Sequence, residues 1–357
     1  MRVSLPYDKP IVASVKVRNG SLGAGVLNLA LCAYPLVLAL LTVASIVSPA
    51  RTGLRAVAQI FAPHLFLLLL LIVPFAFRRS GFGGGLLRGL LLVCVALFCA
   101  RYLPALAASQ PSSDPSAPKL SVMTWNVFAG NRREENIRDL LLEKPADVVA
   151  LQEISWSWLD NDALAAAYPY RLVRPNETAP GMAILSTHPI VDSGVLDGDR
   201  RLWDIPRLMW ARLDVGGTQV TVVSAHPIST YYSGGNCRLP ICFDPTHRDR
   251  QIAAMHTEAI QPLIASGEPF VLAGDFNVTE REPAYGDLSA GLTDTFKAVG
   301  AGFGTTWRPP FAMSQPIGLL RIDYLFAGPH VTPLSVNTDC TPRNSDHCVV
   351  IGQFEVR

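Results

Sequence analysis

Two kinds of hydrophobic patterning divide the chain. In the first hundred or so residues the apolar positions run on without a period: Val26 to Val47 contains no charge, and neither does Ala56 to Phe77. Each is long enough to cross a bilayer. A third run, Gly89 to Ala108, carries only Arg101, close to one end, where a long side chain can reach the interface. Beyond it the pattern shortens. "LSVMTWNV" reads as a strand, and "NIRDLLLEKPADVVALQEI" passes from an amphipathic helix through a Pro-Ala-Asp turn into a buried strand. "GMAILST", "TQVTVVSAH", "PFVLAGDF" and "RIDYLFAG" are further strands, and Arg248 to Ala265 keeps helical spacing up to a kink at Pro262. Strands alternating with helices, without an internal repeat, predict one α/β domain behind three membrane helices.

The segment joining the two, Ala105 to Lys119, is small, polar and proline-rich, the composition of a linker. The expected organisation is an anchor over 1–108 with spans at about 26–47, 56–77 and 89–108, a linker over 109–118, and a domain over 119–357. Composition agrees with this division. The chain is 49% hydrophobic with a mean hydropathy of +0.27, too apolar for an average soluble protein, and the excess lies in the three runs. Charge divides at the same boundary: before Lys119 there are ten basic and two acidic residues, and from Lys119 onward 20 basic against 27 acidic. An acidic domain has no general attraction for nucleic acid, whose binding draws on phosphate neutralisation by Lys and Arg.

Basic residues also set an orientation. Arg2, Lys9, Lys16 and Arg18 precede the first run and Arg78, Arg79 and Arg88 separate the second from the third, while the other short loop has Arg51 and Arg55. The positive-inside rule then makes the N-terminus cytoplasmic and the domain extracytoplasmic. The cysteines bear on this independently. Cys32, Cys94 and Cys99 fall in the apolar runs, and the other four form two close pairs, Cys237 with Cys242 and Cys340 with Cys348. Paired usage suits disulfides in an oxidising compartment, and neither spacing is that of a zinc site.

Candidate chemistry gathers at strand ends. Asn126 ends "TWN", Glu153 ends "LQE", His226 lies in "SAHP", Asp275 and Asn277 in "GDFN", Asp323 in "RIDYLF", and Asp346 with His347 in "SDH". In an extended chain Asp275 and Asn277 share one face. An Asx turn explains the same two residues, and any one of the others could be a turn or core residue. Six such strand ends together are harder to explain that way.

In order and spacing the set resembles the endonuclease/exonuclease/phosphatase superfamily, the metal-dependent phosphoesterases that include DNase I-like nucleases, inositol polyphosphate phosphatases and bacterial sphingomyelinases. The resemblance covers Lys119 to Arg357 and includes "GMAILST". It implies a four-layer α/β sandwich with the site at one rim. It further implies that Glu153, helped by Asn126 and with Asp346 as an additional ligand, holds Mg²⁺, for which Mn²⁺ can substitute; hard oxygen ligands suit either ion. Asp275 would orient or deprotonate the attacking water and Asn277 would hydrogen-bond the transition state. His347 would bind phosphate or relay a proton, Asp323 would fix its tautomer, and His226 would be a second donor.

The stretch Ile228 to His247 departs from the barest family pattern by carrying Tyr231, Tyr232, Pro240, Ile241 and Phe243 around the Cys237–Cys242 pair. It could touch lipid, shape a pocket, or be a stapled surface loop, and "RPPFAMSQPIGLL" before Asp323 poses the same choice. The expected function is an anchored, extracytoplasmic, Mg²⁺-dependent phosphoester hydrolase acting on a phospholipid headgroup or lipid phosphate. The rivals are a surface nuclease or nucleotide phosphatase and, in a different class, a non-catalytic membrane sensor that keeps the fold. The expected partners are the bilayer and the phosphoester, with nucleic acid behind them and no protein partner.

Overall fold

The computed structural model describes residues 20–131, 133–174, 181–196, 208–230 and 243–357. It divides into two compact units, residues 1–43 with 63–102, and residues 44–62 with 103–357.

The first unit holds long apolar helices. Gly20–Val47 and Gly81–Tyr102 are each long and apolar enough to cross a membrane, and a third candidate exists if the pieces Gly53–Ile60 and Ala62–Arg78 form one span. The last helix sits earlier than the expected 89–108. It begins at Gly81, and Pro104, which can neither donate a helical hydrogen bond nor leave its predecessor helical, follows its end. The expected 56–77 run is interrupted at Phe61, just before Pro63, for the same reason.

The second unit contains twelve strands among the described residues: β1 (Lys119–Asn126), β2 (Val148–Ile154), β3 (Tyr170–Arg174), β4 (Gly181–Ser186), β5 (Ile190–Leu196), β6 (Leu208–Val215), β7 (Thr218–Ala225), β8 (Phe270–Asp275), β9 (Thr293–Asp294), β10 (Asp323–Ala327), β11 (Val331–Asp339) and β12 (Val349–Val356). They form two six-stranded sheets, ordered β11-β12-β1-β2-β4-β3 and β5-β6-β7-β8-β10-β9. The inner faces meet in one core, with Val122, Val148 and Ile184 of the first sheet against Ala211, Val222 and Val271 of the second. Helix Glu134–Glu143 covers the outer face of the first sheet through Ile137, Leu140 and Leu141. Helices Thr246–Met255 and Pro283–Ser289 cover the second through Ile252, Met255 and Leu288. This is the four-layer α/β/β/α sandwich. Strands β1, β4 and β8 are buried on both faces, which is why they read as unbroken apolar runs rather than alternations.

Topology gathers the polar strand ends. β1 and β2 run parallel, as do β7 and β8, so Asn126, Glu153, His226 and Asp275 come at the same end of their sheets. β10 is antiparallel to β8 and pairs Asp323 with Asp275, and β12 is antiparallel to β1, so each begins where its neighbour stops.

Segment 44–62, which the sequence pattern assigns to the anchor, contributes to this unit. Ala50, Ala56 and Ile60 pack with Phe243, Leu320 and Ile322. The Gly53 N–H donates to the Phe243 carbonyl at 2.7 Å, the Gln59 amide donates to the Arg281 carbonyl, and Arg281 Nε donates to the Ile60 carbonyl at 2.8 Å.

Candidate active site

The eight polar residues singled out in the sequence converge on one rim, linked by short contacts. Asn126 is the bridge between the sheets: its Nδ2 donates to Glu153 Oε1 at 3.0 Å and to Asp275 Oδ2 at 2.9 Å, while its Oδ1 accepts from the Phe128 N–H. His226 Nε2 stands 3.7 Å from both Glu153 Oε1 and Asp275 Oδ2. His347 Nδ1 lies 2.9 Å from Asp323 Oδ2, and its Nε2 is 3.7 Å from Asp275 Oδ2.

Local backbone geometry aims these groups. Glu153 sits at the register shift between β2 and β4 with φ of +58°, so a bulge turns its side chain onto the rim, where Oε2 accepts from the Ala129 N–H at 2.8 Å. Asp275 and Asn277 are brought together differently from the extended alternation that their spacing suggests. β8 stops at Asp275, Asn277 is left-handed with φ of +53°, and its N–H donates to Asp275 Oδ1 at 2.9 Å. The Asx turn and the site are therefore the same structure, and asparagine tolerates the conformation. Gly274 permits the close approach of β7, since a Cβ there would lie 2.0 Å from the Ala225 carbonyl oxygen.

Burial and charge set the proton affinities. Burial pushes the Asp275 carboxyl up to about 7, with Asp323 adding to the rise and His347 opposing it. Burial alone would lower His347, but Asp323 and Asp275 outweigh it and hold the imidazole well above the ordinary histidine range. Glu153 moves the other way: burial would raise it, but His226, the Asn126 amide and the Ala129 N–H hold it below the usual glutamate value. Asp346 is raised by burial, with Glu153 adding to it and His347 opposing.

Several supports carry no local sequence signal. Arg308, 1% exposed, donates to the carbonyls of Cys340 and Ser345 and its backbone N–H donates to that of Asp346, pinning the loop that the Cys340–Cys348 disulfide closes. The Trp307 indole donates to Asp346 Oδ2 at 3.3 Å. Ser345 Oγ ties the same loop to β1 through the Asn126 carbonyl, and Gln152 Nε2 donates to Ser224 Oγ beneath the site, joining the two sheets. Arg248 fixes the Asn277 carbonyl and pairs with Glu282. A buried arginine in a proline-rich loop is the one of these that sequence reading could have flagged, because such a charge has to find partners. Cys237, Cys242 and most of the Ile228–His247 stretch lie outside the described residues; Phe243 is buried against segment 44–62.

The model of the Endonuclease/Exonuclease/phosphatase family matches residues 123–347, from within β1 through His347. The chain belongs to that family. It is by membership a phosphoric ester hydrolase, and the family's enzymes depend on divalent metal. Among solved structures, the 3'-5' exonuclease NExo of Neisseria meningitidis matches at 22% identity with a TM-score of 0.52, covering 66% of this chain and all of that one. D. rerio TDP2, solved with a single-strand DNA product, matches at 20% and 0.51, covering 67% and 99%. A family protein of Bacteroides thetaiotaomicron matches at 18% and 0.51, covering 68% and 99%. At these identities the likeness establishes the shared fold. No curated protein matches the chain.

Two groups of side chains at the rim could hold a cation. Asp275, Asp323 and His347 offer ligand atoms within 4.8 Å of one another, but Asp323 is engaged on His347 Nδ1 and helps hold that imidazole above the ordinary histidine range. Glu153 and Asp346 differ. Both are carboxylates, they repel each other, and Asp346 Oδ1 is buried with no hydrogen bond among the described residues. A buried carboxylate oxygen beside a second carboxylate is a donor set that a hard divalent cation satisfies.

Proposed function

We propose that the protein is a membrane-anchored, extracytoplasmic, Mg²⁺-dependent phosphoester hydrolase whose substrate is a phospholipid headgroup or a lipid phosphate. The observation that carries this reading is that one chain joins a phosphoesterase rim to helices long and apolar enough to cross a membrane, with segment 44–62 between those helices packed into the catalytic unit. Segment 44–62 packs on the catalytic unit, so the two lie on the same side of the membrane. The chain between residues 62 and 103 then crosses an even number of times. Gly81–Tyr102 would be one crossing, and Ala62–Arg78, the second arm of a helix pair bent by 69° at Phe61, would be the other, near the lower end of the length a span needs. This supports three spans, with basic residues before the first and between the second and third marking the cytoplasmic side.

Glu153 and Asp346 would hold Mg²⁺, with Asn126 keeping the second lone pair of Oδ1 for it. When bound, the ion neutralises charge on the phosphate oxygens. Asp275, raised to about 7 and fixed by Asn126 and the Asn277 N–H, is the base that orients and deprotonates the attacking water. His347 is protonated, held through Nδ1 by Asp323, and presents Nε2–H to a phosphate oxygen as charge develops. His226 and the Asn277 amide supply further donors on the same side of the phosphorus.

A second reading, a nucleotide- or nucleic-acid-directed phosphoesterase, is favoured by the single-strand DNA product recorded with the TDP2 relative. The acidic balance from Lys119 onward argues against it. The test uses the full chain in lipid nanodiscs and measures headgroup and phosphate release from phospholipids, lipid phosphates, nucleotides and DNA, with Mg²⁺ or EDTA. Lipid turnover lost in EDTA is the expected outcome, and preference for DNA or nucleotides overturns the lipid reading.

A further inference from the structure

Apolar side chains on the catalytic unit are exposed in one place. Among the described residues of that unit, the large hydrophobic side chains more than half exposed are Ile46, Val47, Leu54, Leu103, Leu106, Phe303, Phe311 and Ile317, with only Val191 on β5 elsewhere. Ile46 and Val47 end the first apolar helix, and Leu103 and Leu106 follow the last within four residues of Tyr102. The others are joined to these by contacts within the unit. The Gly302 N–H donates to the Ala105 carbonyl at 2.9 Å in an antiparallel bridge, so Leu106 and Phe303 each lie one residue from that bridge. Gly304, Thr305, Pro316 and Ile317 line one shallow cleft, which brings Phe303 and the Phe311–Ile317 loop together. The base of that loop, Trp307 with Leu319 and Leu320, packs on the Gly53–Ile60 helix that carries Leu54.

The same loop builds the site. Trp307 bridges to both Leu320 and His347, its indole reaches Asp346, and the Cys348 N–H donates to the Thr306 carbonyl at 2.7 Å. Thr306 Oγ1 accepts from the Asp323 N–H at 3.1 Å. Phe311, 90% exposed, and Ile317, 70% exposed, are therefore the tip of a structure whose base holds Asp323, Asp346 and His347.

We infer that Phe311, Ile317, Phe303, Leu106 and Leu54 form a membrane-seating surface that enters the headgroup region of the bilayer beside the catalytic rim. The occupant is lipid, because the chain leaves this patch for apolar helices at residues 47, 62 and 102, and a surface so tethered cannot be far from the bilayer. An exposed apolar patch of this kind gains by burial. The inference deepens the lipid reading of the site, on which its catalytic consequence rests: phosphoesters of the bilayer surface would reach Asp275 without leaving the membrane.

The experiment places the photo-cross-linker p-benzoylphenylalanine at position 311, 317, 106 or 191 of the full chain in phosphatidylcholine–phosphatidylglycerol nanodiscs and identifies adducts by mass spectrometry. Lipid adducts at 311, 317 and 106 but not at 191 are expected. Absence of lipid adducts at 311 and 317, or adducts to a second protein chain there, overturns the inference. In parallel, Phe311→Asp with Ile317→Asp is expected to lower turnover of phospholipid in the nanodisc at least about tenfold while hydrolysis of soluble bis(p-nitrophenyl) phosphate stays within about twofold, as the substituted side chains are exposed. Equal loss on both substrates overturns the separation of seating from chemistry. Lipid adducts with no lipid turnover by the unsubstituted chain leave the surface standing and refute the lipid substrate instead.

Discussion

Asp346 and His347 are neighbours in sequence and opposites in environment. His347 is surrounded by unlike charge, with Asp323 on Nδ1 and Asp275 beyond Nε2, and its backbone N–H donates to Ser345 Oγ. Asp346 has His347 Nε2 3.9 Å from its Oδ1 but also feels Glu153, a like charge, and that oxygen is buried and lacks a hydrogen bond. The first arrangement is finished by the protein itself; the second would be completed by a cation. A polar rim can thus hold a proton donor ready and still reserve a place for metal, because unlike and like charges are kept on adjacent residues of one clipped loop.

The largest expected effect comes from removing the carboxylate that faces His347 Nε2 and accepts from the Asn126 amide. Asp275→Asn should lower kcat roughly 10²–10⁴-fold in a phosphoester-release assay at saturating Mg²⁺, the usual worth of a positioned base. A loss below about tenfold would mean that another group takes the water's proton. Asp323→Asn should cost less, about 10²-fold, and it separates the halves through pH. In the unsubstituted protein activity should rise as pH passes through about 7, where Asp275 loses its proton, and fall only well above the ordinary histidine range, where His347 loses its own. Without Asp323 the alkaline limb should move to lower pH and the acid limb should follow it by less, since burial comes ahead of Asp323 in raising Asp275; an unmoved alkaline limb would remove His347 from the chemistry. Both shifts are upward, so the folded state holds the extra protons. The stability they contribute is present at low pH and is lost as pH rises, for Asp275 between the ordinary carboxylate value and about 7.

Cys340→Ser with Cys348→Ser should destabilise the protein by roughly 2–3 kcal/mol, the closure entropy of so short a loop, read as a lower melting temperature, and should impair both halves together because Asp346 and His347 lie within the clip. The smallest effect is the most diagnostic. Asp346→Asn removes a buried carboxylate whose burial, with repulsion from Glu153, outweighs the attraction of His347, so in EDTA it should raise stability by about 1 kcal/mol, while the melting-temperature gain on adding Mg²⁺ shrinks. A fall in stability in EDTA would show that Asp346 is held by the protein rather than reserved for a cation.

The site residues were legible because each is a polar side chain at one end of an apolar strand or in the loop beside it, and strand ends are local. Which ends meet was legible only through the resemblance, since register and parallel pairing are not written in any one segment. Asn277 shows the limit of periodicity: alternation places it beside Asp275 for a reason the backbone does not use. Gln152, Ser224, Arg308 and Arg248 were invisible because their roles depend on partners far away in the chain. Segment 44–62 was absorbed into an anchor because the apolar residues that face Leu320 and those that face lipid look alike in sequence.

That segment also imposes an order on biogenesis. Ala56 and Ile60 are made early, yet Leu320 and Ile322, the residues that cover them, follow about 260 positions later, which at 5–20 residues per second is roughly 15–50 s of synthesis. On the three-span reading a short amphipathic helix would wait until then at the bilayer beside the inserted spans, with the lipid surface as the shelter available to it. The enzyme would therefore be completed from its last third backward onto its first sixth, and a ribosome stalled before Leu320 would leave a membrane protein with its catalytic core still open.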